Sequence, residues 1–193
     1  MLPKVCEARE VMAVAERTGL CVWPMLETAR GVLCAREIAE AAARSGPAAL
    51  VLGTNDLSAE LGLEAGNSRS ALTLAMQTAV LAAKAAGIDL LDGVSNALTD
   101  TAAVEREARE ARALGMTGKT VIHPAQIDPV NRAFSPTTEE IDRARAVVAA
   151  MAEATSNGRS VATLNGKLIE RLHADTAEQI LAHAEAIAAP YRA

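Results

Sequence analysis

Short apolar runs alternate with helical patterns along the first two thirds of the chain. The runs predict strands at 2–5, 20–26, 48–52, 88–94 and 119–122. The second run, Leu20 to Leu26, is continuously apolar, which is typical of a strand buried on both faces of a parallel sheet. Because a helical pattern follows each of these runs, the alternation predicts a parallel sheet with helical crossovers.

The helical patterns carry an apolar stripe, and most of them end at a glycine. They predict helices at 7–17, 31–45, 69–86, 101–114 and 125–134, with the last one broken by Pro129. The strand spacing is close to the ~31 residues per unit of a barrel in which about 250 residues form eight strand–helix units. We therefore expect an α/β fold, an incomplete TIM-type (β/α) barrel with about five of the eight strands.

The pattern changes after Phe134. Thr137 and Glu140 have the spacing of a capping box and predict a helix that runs to about Thr155. The pair Asn165-Gly166 lies between two short apolar runs and predicts a β-hairpin. A last helix is predicted at 175–189. We therefore expect two domains, the barrel part at 1–134 and a helix–hairpin–helix extension at 135–193.

Composition narrows the classes of function. The net charge is −5 and the sequence shows no basic stripe, which argues against nucleic-acid binding. No apolar run approaches the ~18 residues of a membrane span, so we expect no membrane partner. The three cysteines, Cys6, Cys21 and Cys34, lack the spacing of a metal site. We interpret them as reduced thiols of a cytoplasmic protein.

Two carboxylates come directly after successive apolar runs. Glu27 follows the run that ends at Leu26, and Asp56 follows the run that ends at Leu52. Neighbouring strands lie ~4.8 Å apart, and Mg²⁺ prefers oxygen ligands, typically with only one or two carboxylates. Glu27 and Asp56 are therefore candidates for sharing one Mg²⁺ or Mn²⁺ ion. The alternative interpretation pairs Glu27 with Arg30 and makes Asp56 the cap of the following turn.

Three segments carry a family resemblance: Pro24-Met25-Leu26-Glu27-Thr28-Ala29-Arg30-Gly31, Gly53-Thr54-Asn55-Asp56-Leu57, and Gly118-Lys119 leading into Ile122-His123-Pro124-Ala125-Gln126-Ile127. Together they resemble the citrate lyase beta-subunit-like branch of the HpcH/HpaI aldolase and citrate lyase superfamily. The opening 2–5 and the hairpin 165–169 fit this family as well. The resemblance implies a TIM-type barrel and a carbon–carbon lyase. Such an enzyme cleaves a 3-hydroxyacyl-CoA, such as citryl-CoA or malyl-CoA, to acetyl-CoA or propionyl-CoA and an oxo acid.

The resemblance also implies roles for particular residues. Glu27 and Asp56 correspond to the Mg²⁺ ligands of the family. Glu170, in the C-terminal hairpin, corresponds to an Asp that acts as the acid/base group in a neighbouring subunit's site in members resembling malyl-CoA lyase. The implied partners are an acyl-CoA substrate and further copies of the chain, in a homo-oligomer that is a trimer or a hexamer.

Four further residues lie near the predicted site with roles left open. His123 is either a base or a structural hydrogen-bonding residue, and its place before a proline favours the structural role. Arg30 either holds Glu27 or lies beside the substrate. Asp92 either supports the site from behind its ligands or binds a helix N-terminus. Lys4 corresponds to a family residue at a strand end and is expected to face the site.

Members of the family have about three further strand–helix units before the equivalent of Leu2, including an Arg that clamps the substrate's carboxylate or phosphate. We therefore expect a piece of a longer product, a start at an internal Met, or a half-barrel that pairs with something else. Two functions compete with the CoA-ester lyase. One is a class II aldolase that acts on free hydroxy-oxo acids, and the other is a catalytically incomplete barrel that serves as a structural subunit.

Overall fold

The computed structural model describes residues 1–64 and 68–189. The chain divides into two compact units, Met1–Phe134 and Ser135–Ala193. The buried residues of the first unit form a large apolar core with a smaller satellite cluster, and the second unit has a core of its own. Across the described ranges, no helix is both long enough and apolar enough to cross a membrane.

Four parallel strands form the sheet of the first unit, in the order β1–β2–β3–β4. They are β1 (Met25–Leu26), β2 (Ala49–Leu52), β3 (Asp89–Asp92) and β4 (Gly118–Lys119). The strand predicted at 2–5 is wrong in its extent, because only Leu2 forms a parallel bridge, to Pro24 beside β1, while Pro3 and Lys4 form a turn. The strand predicted at 119–122 is wrong in its extent as well, because β4 ends at Lys119. The order of the strands in space follows their order in the chain, and the segment between each pair contains helix. The predicted parallel sheet with helical crossovers is therefore confirmed.

The predicted strand from Leu20 to Leu26 is wrong in its extent. Only Met25 and Leu26 belong to β1, while Leu20 is 66% exposed and Trp23 is 37% exposed. β2, in contrast, is buried at all four residues, as expected for a central parallel strand. An apolar run does not by itself form a strand, because the ladder also needs a neighbouring strand in register at each position.

Helices flank the strands of the first unit. They are α1 (Ala8–Thr18), α2 (Ala29–Leu33), α3 (Ala35–Ser45), α4 (Thr54–Glu60), α5 (Ser68–Ala71), α6 (Thr73–Ala86), α7 (Thr101–Ala113) and α8 (Ile127–Phe134), with a 3₁₀ turn at Pro124–Gln126. Two predicted helices are divided in the structure, one at Cys34 and the other at Leu72. The predicted break at Pro129 is wrong. Pro129 is the third residue of α8, where a backbone N–H has no partner within the helix.

Alanine dominates where helices meet the sheet. Helix α3 contacts both α6 and β2. Ala39 and Ala42 of α3 and Ala79 of α6 are fully buried, and they share a core with Leu50 of β2. Small side chains let the helix backbones approach closely. Strands and helices both supply the larger buried side chains, such as Leu50 and Leu52 of β2 and Ile38 of α3, and each fully buried Leu contributes about 1.5–3 kcal/mol.

The second unit consists of α9 (Thr138–Ser156), β5 (Ala162–Leu164), β6 (Lys167–Ile169) and α10 (Arg171–Ala188). The predicted hairpin is confirmed, because β5 and β6 pair antiparallel around Asn165 and Gly166. Both turn residues have positive φ, 51° and 73°, as a type I′ turn requires. Helix α10 begins at Arg171, four residues before its predicted start at Asp175.

The predicted capping box at the start of α9 is confirmed. The Glu140 backbone N–H donates to Thr137 Oγ1 at 3.2 Å, and the Thr137 N–H donates to Glu140 Oε2 at 2.8 Å. Two backbone donors that lack partners within the helix are thereby satisfied, which sets where α9 begins.

A buried ion network joins β3 to β4. The side chains of Asp92 and Lys119 are fully buried, and Lys119 Nζ lies 2.8 Å from Asp92 Oδ2. Arg69 of α5 donates to both oxygens of Asp92, at 3.3 and 3.1 Å. Burial lowers the pKa of Arg69, but the charge of Asp92 and the hydrogen bonds to Asp92 and Glu110 outweigh it and raise that pKa. Asp92 therefore binds two cationic side chains, and the expectation that it binds a helix N-terminus is wrong.

We predict that Asp92→Asn destabilises the first unit by about 3 kcal/mol, because the change removes the nearest and fully buried anionic partner of Lys119 and leaves it only the longer ionic contact to Glu107, at 3.4 Å. The measurement is the free energy of unfolding in urea. Asp89→Asn, at the exposed start of the same strand, is the matched control and should change stability by less than about 0.5 kcal/mol. Equal effects of the two variants would contradict the prediction.

We also predict that Thr137→Ala weakens the start of α9 by about 1 kcal/mol, because the Glu140 N–H loses its acceptor. Amide hydrogen exchange at Glu140 measures this locally and should become faster. Thr138→Ala makes the same chemical change at the first helical residue, where no side-chain cap is involved, and should leave that exchange rate unchanged. Unaltered exchange at Glu140 in the Thr137 variant would show that the cap does not hold the helix start.

Candidate metal and substrate site

Glu27 lies directly after β1 and is only 6% exposed. Its Oε1 accepts a hydrogen bond of 2.7 Å from the backbone N–H of Lys4. Gly53, directly after β2, leaves the space that Glu27 needs. A Cβ atom at Gly53 would lie 2.3 Å from Glu27 Cβ and 2.5 Å from its Oε2. The glycine and the carboxylate are therefore matched across two neighbouring strand ends.

Asp56 lies in the first turn of α4, which begins after β2. Its Oδ2 is 3.1 Å from Lys4 Nζ, and about half of its side chain is exposed. The hydrogen bond to Asp56 and then the charge of Asp56 raise the pKa of Lys4. The charges of Glu27 and Glu60 add to that rise, and burial opposes it. Lys4 thus connects the two predicted metal ligands, with its backbone on Glu27 and its ammonium on Asp56.

The alternative pairing of Glu27 with Arg30 is wrong. Arg30 Nη2 instead contacts Glu7 Oε1, in the residue before α1. The idea that Asp56 caps the following turn is wrong as well, because the N-cap position of α4 is Gly53 and the Asp56 side chain pairs with Lys4. Neither Glu27 nor Asp56 therefore makes the local contact that the sequence suggested.

The residues present fit a hard divalent cation. Glu27 and Asp56 offer carboxylate oxygens, and Asp56 already binds a cationic group, the Lys4 ammonium, at 3.1 Å. Within the described ranges, no group of three or more His, Cys, Asp or Glu side chains is arranged to hold a metal. Mg²⁺ does not need such a group, because it takes one or two carboxylates and completes its octahedron with water and substrate oxygens. The donor set therefore suits Mg²⁺ better than Zn²⁺.

Sequence neighbours of Asp56 line a polar cavity of about 140 Å³. Its polar side chains come from α4, α5, α7 and the loop after β3, and they are Thr54, Asn55, Ser58, Arg69, Asn96 and Glu107. Asn55 of α4 and Asn96 of the loop after β3 exchange two amide hydrogen bonds, at 3.0 and 2.9 Å. This pair was not predicted from the sequence. The one available signal was that both asparagines come shortly after a buried strand.

His123 and Gln126 hold the loop after β4. His123 is exposed, and its Nδ1 accepts a hydrogen bond from the Ala125 N–H at 3.2 Å, which is the kind of contact that the structural interpretation of His123 predicts. Gln126 is 1% exposed and was not singled out by its sequence pattern. Its Nε2 donates to the Ser95 and Ala97 carbonyls at 3.0 and 3.1 Å, and its Oε1 accepts from a backbone N–H of its own loop. This amide fastens the loop after β4 to the loop after β3.

Glu170 belongs to the second unit. It lies at the N-cap position of α10, with an exposed side chain, and its backbone N–H donates to His173 Nδ1 at 3.0 Å. The side chain of His173 therefore helps to begin the helix. The role of Glu170 as the acid/base group in a neighbouring subunit's site stays a prediction.

Two sequence relatives resemble the chain over nearly its whole length. (3S)-malyl-CoA thioesterase from Cereibacter sphaeroides is 44% identical over 190 residues, which is 98% of this chain and 66% of that protein. Citrate lyase subunit beta from Escherichia coli is 32% identical over 198 residues, which is 95% of this chain and 64% of that protein. The chain thus spans slightly less than two thirds of the length of these relatives.

A solved structure extends the likeness to the fold. Protein CitE from Mycobacterium tuberculosis, in complex with magnesium, acetoacetate and coenzyme A, superposes with a TM-score of 0.79 at 33% identity. The match covers 96% of this chain and 67% of that chain. The family described as HpcH/HpaI aldolase/citrate lyase matches residues 1–124. These matches confirm the resemblance found in the sequence, and the chain belongs to the HpcH/HpaI aldolase/citrate lyase family.

Proposed function

We propose that this chain carries the metal-binding part of a Mg²⁺-dependent lyase that acts on a 3-hydroxyacyl-CoA. The products are acetyl-CoA or propionyl-CoA and an oxo acid. The observation that carries the proposal is the pairing of Glu27 and Asp56 through Lys4 at neighbouring strand ends. The M. tuberculosis relative was solved with magnesium, a small oxo acid and coenzyme A, which supports both the cation and the class of ligand.

The same likeness supports the wider architecture that we propose. The four parallel strands form part of a TIM-type barrel, in which chemistry takes place at the C-terminal ends of the strands. Glu27 and Asp56 both follow such ends. Glu170 acts as the acid/base group of a neighbouring copy, so we propose a homo-oligomer, a trimer or a hexamer, as the active form.

The chemistry requires a place for negative charge. Cleavage of the carbon–carbon bond leaves an enolate on the departing acyl-CoA, while the substrate hydroxyl becomes a carbonyl. A bound Mg²⁺ ion would orient the hydroxyl and carboxylate oxygens of the substrate and ease loss of the hydroxyl proton. Glu27 and Asp56 would hold that ion.

The chain's own residues shape the rest of the site. The Lys4 N–H orients Glu27, and Gly53 keeps open the space that this carboxylate occupies. Asn55 and Asn96 follow β2 and β3 in the chain, and their paired amides would offer polar groups to the substrate. The hydroxyl proton of the substrate leaves to water, and Glu170 in its protonated form delivers one proton to the enolate carbon, which turns the departing group into a stable acyl-CoA.

A second reaction is favoured by one specific observation. The relative with 44% identity is a malyl-CoA thioesterase. In thioester hydrolysis, water adds to the thioester carbonyl, the carbon–sulfur bond breaks, and the free hydroxy acid and the CoA thiol are released. Both reactions need the acyl group to be held in the same place. The difference between them is the bond that breaks.

We predict that Glu27→Gln and Asp56→Asn each weaken divalent-metal binding by at least about tenfold and reduce metal-dependent turnover in parallel, because each removes one charged oxygen ligand. Isothermal titration with Mg²⁺ or Mn²⁺ measures the first effect directly. Glu16→Gln, an exposed acid on α1, is the matched control and should bind the ion as the unmodified protein does. Unchanged affinity in the Glu27 variant would rule out the metal assignment.

We predict that malyl-CoA supplied with Mg²⁺ yields acetyl-CoA and glyoxylate in equal amounts, as carbon–carbon cleavage demands. Chromatography of the CoA esters and a thiol assay measure the products separately. Free CoA thiol and malate without acetyl-CoA would show thioester hydrolysis instead. Turnover of free hydroxy-oxo acids without CoA would identify the class II aldolase, and no turnover of either substrate class would favour the structural subunit.

A further inference from the structure

Lys4 has a backbone conformation that is unusual for a side chain of its kind. Its φ is 51°, in the left-handed region that lysine rarely adopts. Among the described residues, the one other non-glycine residue with positive φ is Asn165. Asn165 lies in the hairpin turn, and Lys4 lies in a turn that it forms with Pro3. Strained residues of this sort persist where the surroundings hold them, often at functional sites.

The contacts of Lys4 show what the unusual conformation achieves. Its backbone N–H points at Glu27 Oε1, at 2.7 Å, and its ammonium reaches Asp56 Oδ2, at 3.1 Å. One residue therefore contacts both proposed metal ligands, through opposite ends. The backbone contact leaves the charge of Glu27 intact, while the ammonium contact neutralises part of the charge of Asp56.

We propose that Lys4 is the positioning residue of this carboxylate pair, and that its ammonium competes with the divalent cation for Asp56 and so lowers the metal affinity of the site. The inference rests on the proposed function, because it requires Glu27 and Asp56 to be the metal ligands. An ammonium beside Asp56 and a divalent cation on Asp56 repel each other. The cation therefore binds at the cost of the ion pair between Lys4 and Asp56.

The structure allows this exchange. The Lys4 side chain is 68% exposed, so its ammonium has room to leave Asp56 without breaking the core. The hydrogen bond from the Lys4 backbone N–H to Glu27 does not involve the Lys4 side chain, so it stays in place when the ammonium moves. A lysine at this position therefore tempers the repulsion between two neighbouring carboxylates and keeps metal binding reversible.

The test is Mn²⁺ binding to the full chain, followed by the electron paramagnetic resonance signal of free Mn²⁺. Lys4→Met keeps the backbone N–H and most of the side-chain length but removes the charge. We expect it to bind Mn²⁺ about three- to tenfold more tightly at low ionic strength, and the gain should shrink in high salt. Lys4→Arg keeps the charge and should stay within about twofold of the unmodified protein.

Two further variants separate the competition from general effects. Lys84→Met removes the same charge from an exposed position on α6 and should not tighten binding. Lys4→Gly removes the ammonium in a residue that adopts positive φ readily, so it should tighten binding as Lys4→Met does even if the methionine variant folds poorly. Circular dichroism establishes which variants are folded.

The outcomes distinguish this inference from the proposed function. Equal or weaker Mn²⁺ binding in folded Lys4→Met or Lys4→Gly would overturn the competition and leave the metal assignment standing. Absence of Mn²⁺ binding to the unmodified chain would overturn the metal assignment itself, and the inference would fall with it. Equal tightening by Lys84→Met would assign the effect to net charge and would also overturn the inference.

Discussion

The parallel register of the sheet is the constraint on which the site depends. The Met25 N–H bonds to the Leu2 carbonyl, and the Gly53 N–H bonds to the Leu26 carbonyl at 3.0 Å. These bonds place the ends of three successive segments side by side. Lys4, Glu27 and Asp56 then meet, although 23 residues separate the first two and 29 the last two. A slip of one residue would turn Glu27 to the other face of the sheet and separate the pair.

The site end of the sheet holds two buried carboxylates, and the protein treats them in opposite ways. Asp92 is surrounded by the cationic side chains of Lys119 and Arg69, which makes it a structural joint between β3 and β4. Glu27 accepts a hydrogen bond from the uncharged backbone N–H of Lys4, whose ammonium is paired with Asp56 instead. A carboxylate that is buried but not neutralised by a direct ion pair suits a cation from outside the chain. This contrast separates a group suited to chemistry from one that supports the fold.

The proposed lyase and thioesterase reactions draw on the same geometry. Each needs the acyl group of a CoA ester held against the strand ends, and each develops negative charge on an oxygen atom there. The carboxylate pair and the asparagine amides serve either reaction. The choice of bond depends on the access of water to the thioester carbonyl and on the placement of the acid that protonates the enolate.

The sequence by itself determined the elements whose signals are local. The capping box at Thr137 and Glu140 and the Asn165-Gly166 turn are short-range motifs, and the structure has both where they were predicted. The alternation of apolar runs and helices determined the parallel sheet, and the order of the runs placed Glu27 and Asp56 at neighbouring strand ends.

Only the tertiary structure decided the partners of the charged and polar groups. It paired Arg30 with Glu7, Lys4 with Asp56, Asp92 with Lys119, and Asn55 with Asn96. It also shortened the predicted strand at 20–26 to two residues. These contacts join residues that are far apart in the chain. The sequence shows which residues are charged, but it does not show which of them pair. Their partners follow from which backbone segments lie side by side, and that placement is settled by the packing of the whole unit.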